Sequence, residues 1–197
     1  MKIWYDTEFL EDGKTIELIS IGMVREDGEE YYAVVDVGAI TWLRITQHDW
    51  LMRNVIPSLP LQNRTSLDTW LSVPANSYPK PSTSLLSLDF ADSRVKPKRV
   101  IANEVRDFIS EVDRPELWAW YAAYDHVALC QLWGPMVAIH GTKIPFWTSD
   151  LKQECNRLGN PTVPQQLAGQ HNALADAKHN REIDEFLMQY KSVKRSP

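Results

Sequence analysis

Apolar runs in the first forty residues predict three β-strands. The runs extend from Lys2 to Phe9, from Ile16 to Val24 and from Glu30 to Val35, and they are rich in β-branched and aromatic residues. Asp12-Gly13 and Asp27-Gly28 separate them, and Asp-Gly pairs are typical of tight turns between antiparallel strands. The pattern therefore predicts an antiparallel meander at the start of a sheet.

Helical spacing of apolar residues appears in the second half of the chain. It predicts a helix from about Val100 to Val112, with Pro115 as a stop. Leu117 to Tyr121 then forms a continuous apolar run, as in a buried strand. Further helices are predicted over Tyr124–Trp133, Ser149–Leu158 and from Ala173 to about Tyr190. Strands followed by helices that alternate with a strand predict an α/β fold around a mixed sheet.

The segment between these two regions has little periodicity. Trp50 to Ile56 predicts a short helix before Pro57, but Leu59 to Lys98 contains five prolines and many Ser, Thr and Asn residues. Such a stretch is typical of a functional flap or a mobile insertion. We therefore expect one domain over residues 1–190 with an atypical Pro/Ser-rich insertion at about 59–98, followed by a basic tail at 191–197.

Composition and charge narrow the range of functions. Hydrophobic residues make up 44% of the chain, yet no apolar run is long enough to span a membrane, and no secretory signal is visible, so we expect a cytoplasmic protein. The two cysteines form no CxxC pair that would indicate zinc. The net charge of −5 argues against nucleic-acid binding through a basic surface. It remains compatible with an enzyme whose carboxylates bind cations.

Carboxylates interrupt the apolar pattern at three places. Asp6 and Glu8 are two residues apart in the first strand, so their side chains share one face. Buried carboxylates that repel each other are stabilised by a divalent cation, and Mg²⁺ prefers such oxygen ligands. Asp125 follows the buried strand at the start of a helix, where α/β proteins gather their ligand sites. His171 and Asp176 flank the start of the last helix, where Asn172 is the expected cap.

Taken singly, each of these features has an ordinary structural explanation, such as an exposed strand edge or a helix terminus. In this order along the chain, however, they resemble the three motifs of the DEDDh 3′→5′ exonuclease superfamily, which has an RNase H-like fold. The segments Tyr5–Phe9, Thr15–Gly22, Glu30–Val34 and Glu116–Met136 are similar to the polyadenylate-preferring RNase AS type of exoribonuclease, and the chain also resembles RNase T. The resemblance covers residues 1–35 and 100–190 but not about 36–99.

The resemblance implies a five-stranded mixed sheet flanked by helices and a two-metal hydrolysis of the 3′-terminal phosphodiester. Asp6, Glu8, Asp125 and Asp176 would hold two Mg²⁺ or Mn²⁺ ions, and His171 would act as general base. The substrate would be the 3′ end of single-stranded RNA, with DNA and a non-catalytic RNA-end-binding module as alternatives. It also implies a homodimer.

Substrate contacts are expected next to the first motif. Backbone groups of Thr7 and Glu8 are expected to approach the terminal ribose, and Phe9 and Leu10 to stack on or wedge the terminal bases. Core packing remains an alternative for Phe9 and is favoured for Leu10.

Overall fold

The computed structural model describes residues 1–195 and contains a six-stranded sheet. The predicted meander is confirmed, since β1 (Lys2–Glu11), β2 (Ile16–Arg25) and β3 (Glu30–Val35) pair antiparallel in succession. On the other side of β1, β5 (Glu116–Ala119) and then β6 (Ser149–Asp150) join in parallel.

The sheet is mixed, as predicted, but has six strands instead of five. The far edge is formed by β4 (Val95–Lys96), which pairs in parallel with β3. A strand of two residues has no periodicity that a sequence pattern could reveal. The α/β arrangement, with an antiparallel meander continued by parallel strands, is consistent with an RNase H-like fold.

Helices cover the sheet and the chain between its strands. The predicted helices correspond to α2 (Asp49–Asn54), α4 (Lys98–Ser110), α5 (Ala123–Cys130), α6 (Leu151–Arg157) and α7 (Ala173–Arg195). Two more, α1 (Gly38–Gln47) and α3 (Arg64–Leu71), were not predicted. Short 3₁₀ turns occupy Ile56–Ser58, Gln131–Trp133 and Met136–Ile139. Helix α7 extends through Arg195, so most of the expected tail continues this helix, while residues 196–197 lie outside the described part of the chain.

The segment at 59–98, which the sequence predicts to be an insertion, is packed against the rest of the fold. It contains α3 and β4, and a β-bridge joins Leu61 to Leu88. A hydrophobic cluster then combines side chains of this segment with buried residues of β2, β3, α1 and α2; its contribution comprises Leu59, Leu67, Trp70, Leu86 and Leu88. Burial of this apolar surface fixes the segment although its sequence has no regular pattern.

Strand β1 lies at the centre and contributes to cores on both of its faces. Ile3 and Tyr5 belong to a cluster shared with α4 and α5, whereas Trp4 belongs to a cluster shared with α6 and α7. Asn180 of α7 donates a buried hydrogen bond of 3.0 Å to the Tyr5 carbonyl oxygen. Asp184 accepts from Lys2 Nζ at 2.6 Å and from Trp4 Nε1 at 3.1 Å. These contacts fix α7 along β1. Within the described residues, no helix is both long and apolar enough to cross a membrane.

Candidate active site

Asp6 and Glu8 lie on the face of β1 that is covered by α7. Their strand partners are Gly22 and Ser20 of β2. The register between β1 and β2 shifts directly after Glu8, which ends the regular alternation there. Asp6 shares the wall of a cavity of about 310 Å³ with Asp176 of α7. The spacing of two residues thus places both carboxylates on one face of β1, as the sequence predicts, and this is the face that α7 covers.

A glycine on β2 sets the distance between α7 and the sheet. A Cβ atom at Gly22 would overlap the backbone of Ala173 and Leu174, so the first turn of α7 lies directly on β2 beside Asp6. Asn172 caps this turn, because its Oδ1 accepts a hydrogen bond of 3.1 Å from Ala175 N. The predicted cap is therefore confirmed, and it leaves Asp176 one turn into a rigid helix.

Asp125 reaches the site from the opposite face of β1. Its Oδ1 accepts two hydrogen bonds from Thr7, at 2.9 Å from the backbone nitrogen and at 2.7 Å from Oγ1. Asp150 stabilises the chain immediately before α5, because its Oδ2 accepts a hydrogen bond of 3.1 Å from Ala122 N. Thr7, between the two acids of the first motif, therefore fixes the orientation of the third carboxylate.

His171 lies in the loop immediately before α7, on the open side of the site. Its Nδ1 is 3.9 Å from Glu8 Oε1, and its imidazole is partly exposed. Donor atoms of Glu8, His171 and Asp176 all lie within 4.8 Å of one another. The structure thus brings together the five residues that the sequence singled out, although they lie up to 170 positions apart.

Burial and mutual repulsion make these carboxyl groups resist ionisation. Burial, with Asp176 and Asp125 nearby, raises the pKa of Glu8 to about 8. Burial and the charges of Asp125, Glu8 and Asp176 raise the pKa of Asp6 well above its ordinary value. For Asp125, burial raises the pKa to about 6 although the hydrogen bonds from Thr7 favour the charged form. Burial also raises the pKa of Asp176, against the opposing effects of Gln166 and His171.

The chemistry of this set fits divalent cations. No Lys or Arg among residues 1–192, whose side chains the structure describes, forms an ion pair with Asp6, Glu8, Asp125 or Asp176. Carboxylates that are buried together without a cationic partner are costly unless a cation neutralises them. Oxygen ligands at an open site are those that Mg²⁺ and Mn²⁺ take while they retain waters or bind phosphate.

The residues expected to contact the substrate differ in their availability. The Thr7 N–H is already bonded to Asp125, and Glu8 is paired with Ser20 of β2, so both residues have backbone partners in the structure. Phe9 is half-buried and stacks on the more exposed ring of Tyr124, with 6.1 Å between centroids. Leu10 is buried in a hydrophobic cluster, the core position that the sequence favours for it over a wedge role.

One role of Thr7 and three further residues that shape the site were not predicted from the sequence. Thr7 was expected only as a ribose contact, although alternation along β1 places its side chain opposite to those of Asp6 and Glu8. No local pattern identifies Gln166, Trp50 or Ser58, because they reach the site through long-range packing. Gln166 lines the cavity with Asp6. Trp50 packs on the imidazole of His171, and Ser58 Oγ lies 2.9 Å from the His171 carbonyl oxygen.

Comparison with known proteins finds a family model and relatives that match this chain in sequence. Residues 83–188 match the family model described as the 3'-5' exoribonuclease Rv2179c-like domain. The chain is 39% identical over 186 residues to the 3'-5' exoribonuclease Rv2179c of Mycobacterium tuberculosis (strain ATCC 25618 / H37Rv), covering 90% of this chain and 88% of the relative. The same values hold for the 3'-5' exoribonuclease MT2234.1 of strain CDC 1551 / Oshkosh.

This similarity extends further than the motifs alone indicate. An alignment that covers 90% of the chain includes much of the region 36–99 that the resemblance left unmatched. The packed middle segment is therefore largely shared with these relatives. The chain belongs to the Rv2179c-like 3'-5' exoribonuclease family.

Proposed function

We propose that this protein is a metal-dependent 3′→5′ exoribonuclease of the DEDDh type, which shortens single-stranded RNA to nucleoside 5′-monophosphates. The observation that carries the proposal is the convergence of Asp6, Glu8, Asp125 and Asp176, without a basic partner in the described chain, beside His171. Family membership supports the exoribonuclease activity, since both relatives are named as 3'-5' exoribonucleases.

The proposal assigns cation binding to the four carboxylates, proton transfer to His171 and an orienting role to Thr7. Asp6, Glu8, Asp125 and Asp176 would hold two divalent cations, Mg²⁺ or Mn²⁺. When bound, the cations would supply charge neutralisation for the scissile phosphate and for the leaving 3′ oxygen. His171, on the open side of the site, takes a proton from the attacking water as general base. Thr7 keeps Asp125 oriented through its two hydrogen bonds.

Substrate recognition would use the region next to Glu8. The exposed face of Tyr124 and the ring of Phe9 stacked on it provide an aromatic surface for a terminal base. A base stacked on an aromatic side chain gains about 1–3 kcal/mol. A contact from the backbone of Thr7 or Glu8 to a 2′-hydroxyl would select RNA over DNA.

The decisive experiment follows the length of 5′-labelled RNA and of DNA with the same sequence. We expect an RNA ladder that shortens from the 3′ end with Mg²⁺ or Mn²⁺ and is abolished by EDTA and by Asp6→Asn. Asp113→Asn is the matched control, because Asp113 is an exposed acid outside the site. Retained RNA binding without cleavage under any metal condition would instead support a binding module. Efficient DNA shortening would contradict the assignment to RNA.

Two finer features complete the proposal. A preference for polyadenylate would appear as faster shortening of poly(A) than of mixed-sequence RNA of equal length. A homodimer would give a mass near twice the chain mass of 22.7 kDa in light scattering at micromolar concentration, whereas a mass near that of one chain would exclude it. A cytoplasmic location would be tested by cell fractionation.

A further inference from the structure

We propose that Trp50 and Ser58 are positioning residues that hold His171 over the carboxylates. Both come from the packed segment between β3 and α4, at a distance of more than one hundred positions from His171 in the sequence. Since the role of His171 as general base belongs to the proposed function, this inference depends on it. It assigns to the middle of the chain a specific part in the chemistry.

The backbone of His171 needs support from its surroundings. His171 has a φ of 62°, in the left-handed region that residues with a side chain seldom adopt. Such a conformation persists only where neighbouring contacts maintain it. Ser58 Oγ lies 2.9 Å from the His171 carbonyl oxygen and can donate its proton there. It also lies 2.8 Å from the Val55 carbonyl oxygen at the end of α2, so its single proton is shared between these two acceptors.

The imidazole is oriented by an aromatic contact. Its ring centroid is 4.9 Å from that of Trp50, and the two planes meet at 75°, the edge-to-face arrangement that aromatic pairs favour. At 3.9 Å, the distance from Nδ1 to Glu8 Oε1 is too long for a hydrogen bond that would fix the ring. The contact with Trp50 therefore orients the imidazole, although Trp50 itself is 49% exposed.

The supporting segment is itself anchored. Leu51, Met52, Val55 and Ile56 are buried in the cluster that also contains residues of β2 and β3. Trp50 and Ser58 thus project from a rigid base and not from a loose loop. A general base acts only within hydrogen-bond reach of the proton that it takes, and a displacement of about 1 Å can reduce the rate about 100-fold. Loss of the support should therefore slow the chemical step more than it weakens substrate binding.

The test compares Trp50→Leu, Trp50→Phe and Ser58→Ala in the full-length protein with RNA and Mg²⁺. We expect Trp50→Leu to reduce kcat about 10–100-fold with little change in KM, and Trp50→Phe, which keeps an edge-to-face contact, to restore most of the rate. Ser58→Ala should reduce kcat by a smaller factor. Trp147→Leu is the matched control, since Trp147 is exposed and lines a cavity beside β6 that is separate from the one shared by Asp6 and Asp176.

A spectroscopic measurement tests the geometry without catalysis. Nuclear magnetic resonance of the metal-free protein should show a ring-current shift of the His171 imidazole protons that Trp50→Leu abolishes, with the signals assigned through His171→Ala. Thermal unfolding confirms that each variant is folded. An unchanged kcat in Trp50→Leu, or a raised KM with normal kcat, would overturn the inference and in the second case would identify Trp50 as a base-binding residue. Failure of the wild type to cleave RNA would instead overturn the proposed function.

Discussion

At the scale of single residues, Glu8 makes the metal-free protein sensitive to pH. Its pKa is raised from 4.5 to about 8 on folding, mainly by burial. Between these pH values the native state holds a proton that the unfolded state has released. The contribution of Glu8 to the free energy of unfolding is therefore fully present below about pH 4.5. It is lost as the pH rises towards 8, by an amount on the order of a few kcal/mol.

Urea unfolding in EDTA at pH 5 and pH 8 measures this loss. Glu8→Gln, which cannot ionise, should be less sensitive to pH than the wild type and more stable at pH 8. Addition of Mn²⁺ at pH 8 should stabilise the wild type, because cations bind the ionised carboxylates of the native state. Equal pH dependence of the wild type and Glu8→Gln would show that Glu8 is not held protonated.

Thr7 provides a second test at this scale. Thr7→Val retains the shape and the backbone hydrogen bond to Asp125 but removes the hydroxyl donor at 2.7 Å. Residues that orient metal ligands typically change metal affinity or activity about 10–100-fold when they are replaced. We expect a loss in that range for Thr7→Val and near-normal activity for Thr7→Ser. Equal activity of the two variants would rule out a role for the hydroxyl.

At the scale of elements, the site depends on how closely α7 approaches β2. Gly22→Ala places a methyl group against the backbone at Ala173 and Leu174, which cannot move aside as a flexible side chain would. We expect a loss of stability of at least about 1–3 kcal/mol and, because Asp176 and His171 shift with α7, a larger loss of activity. Unfolding measurements and RNA cleavage on the folded fraction would separate the two effects.

Gly13→Ala is the matched control for this prediction. Gly13 lies in the β1–β2 turn with open space around a Cβ, so a substitution there meets only backbone strain at φ 81°. It should lower stability without changing the activity of the folded protein. If Gly22→Ala also retained full activity per folded molecule, α7 would not be the element that places Asp176.

At the scale of the whole molecule, charge predicts how salt affects RNA binding. The net charge is −5, and four basic residues form a cluster at 94–99, namely Arg94, Lys96, Lys98 and Arg99. This cluster is partly neutralised, since Arg94 pairs with Asp92 and Lys96 pairs with Glu104. For single strands, each phosphate contact made by a cationic side chain adds about −0.7 to the slope of the logarithm of the association constant against the logarithm of salt concentration. We therefore expect KM to rise only gently with salt, with a slope of log KM against log salt no steeper than about +1.5.

Measurement of KM for a short RNA between low and moderate KCl, at fixed Mg²⁺, gives this slope. A steep slope would indicate an extended basic contact surface, contributed by the chain or by a second subunit. Lys98→Ala and Arg99→Ala would then show whether the cluster at 94–99 is part of it. A shallow slope that these substitutions leave unchanged would support binding through the cations at the site.

The local sequence determined the central strands and the residues of the proposed chemistry. Apolar runs bounded by Asp12-Gly13 and Asp27-Gly28 were sufficient to predict β1 to β3, because turn and strand preferences act over a few residues. Asp6 and Glu8 were recognisable as carboxylates in an apolar strand. The helical stripe after Ala173 likewise placed Asp176 and the Asn172 cap in advance of the structure.

Only the tertiary structure determined the elements that lack a local signal. Helix α1 contains several β-branched and aromatic residues, which have low helix propensity. Two long-range hydrogen bonds hold it in place. Trp42 Nε1 donates to the Leu86 carbonyl oxygen at 2.7 Å, and Thr41 Oγ1 donates to Glu17 at 2.8 Å. The two-residue strands β4 and β6 form because neighbouring backbone is available for pairing. Their existence depends on the assembled sheet, which no window of sequence contains.

The properties of the candidate site can likewise be separated into those determined by the sequence and those determined by the tertiary structure. The sequence determined which side chains are present, since carboxylate and imidazole chemistry belongs to the residues themselves. The tertiary structure determined their surroundings: Thr7 bonded to Asp125, Gly22 beneath α7, and Trp50 against His171. Burial, repulsion and orientation arise only when distant segments meet, because they depend on distances in space that the order of residues does not specify.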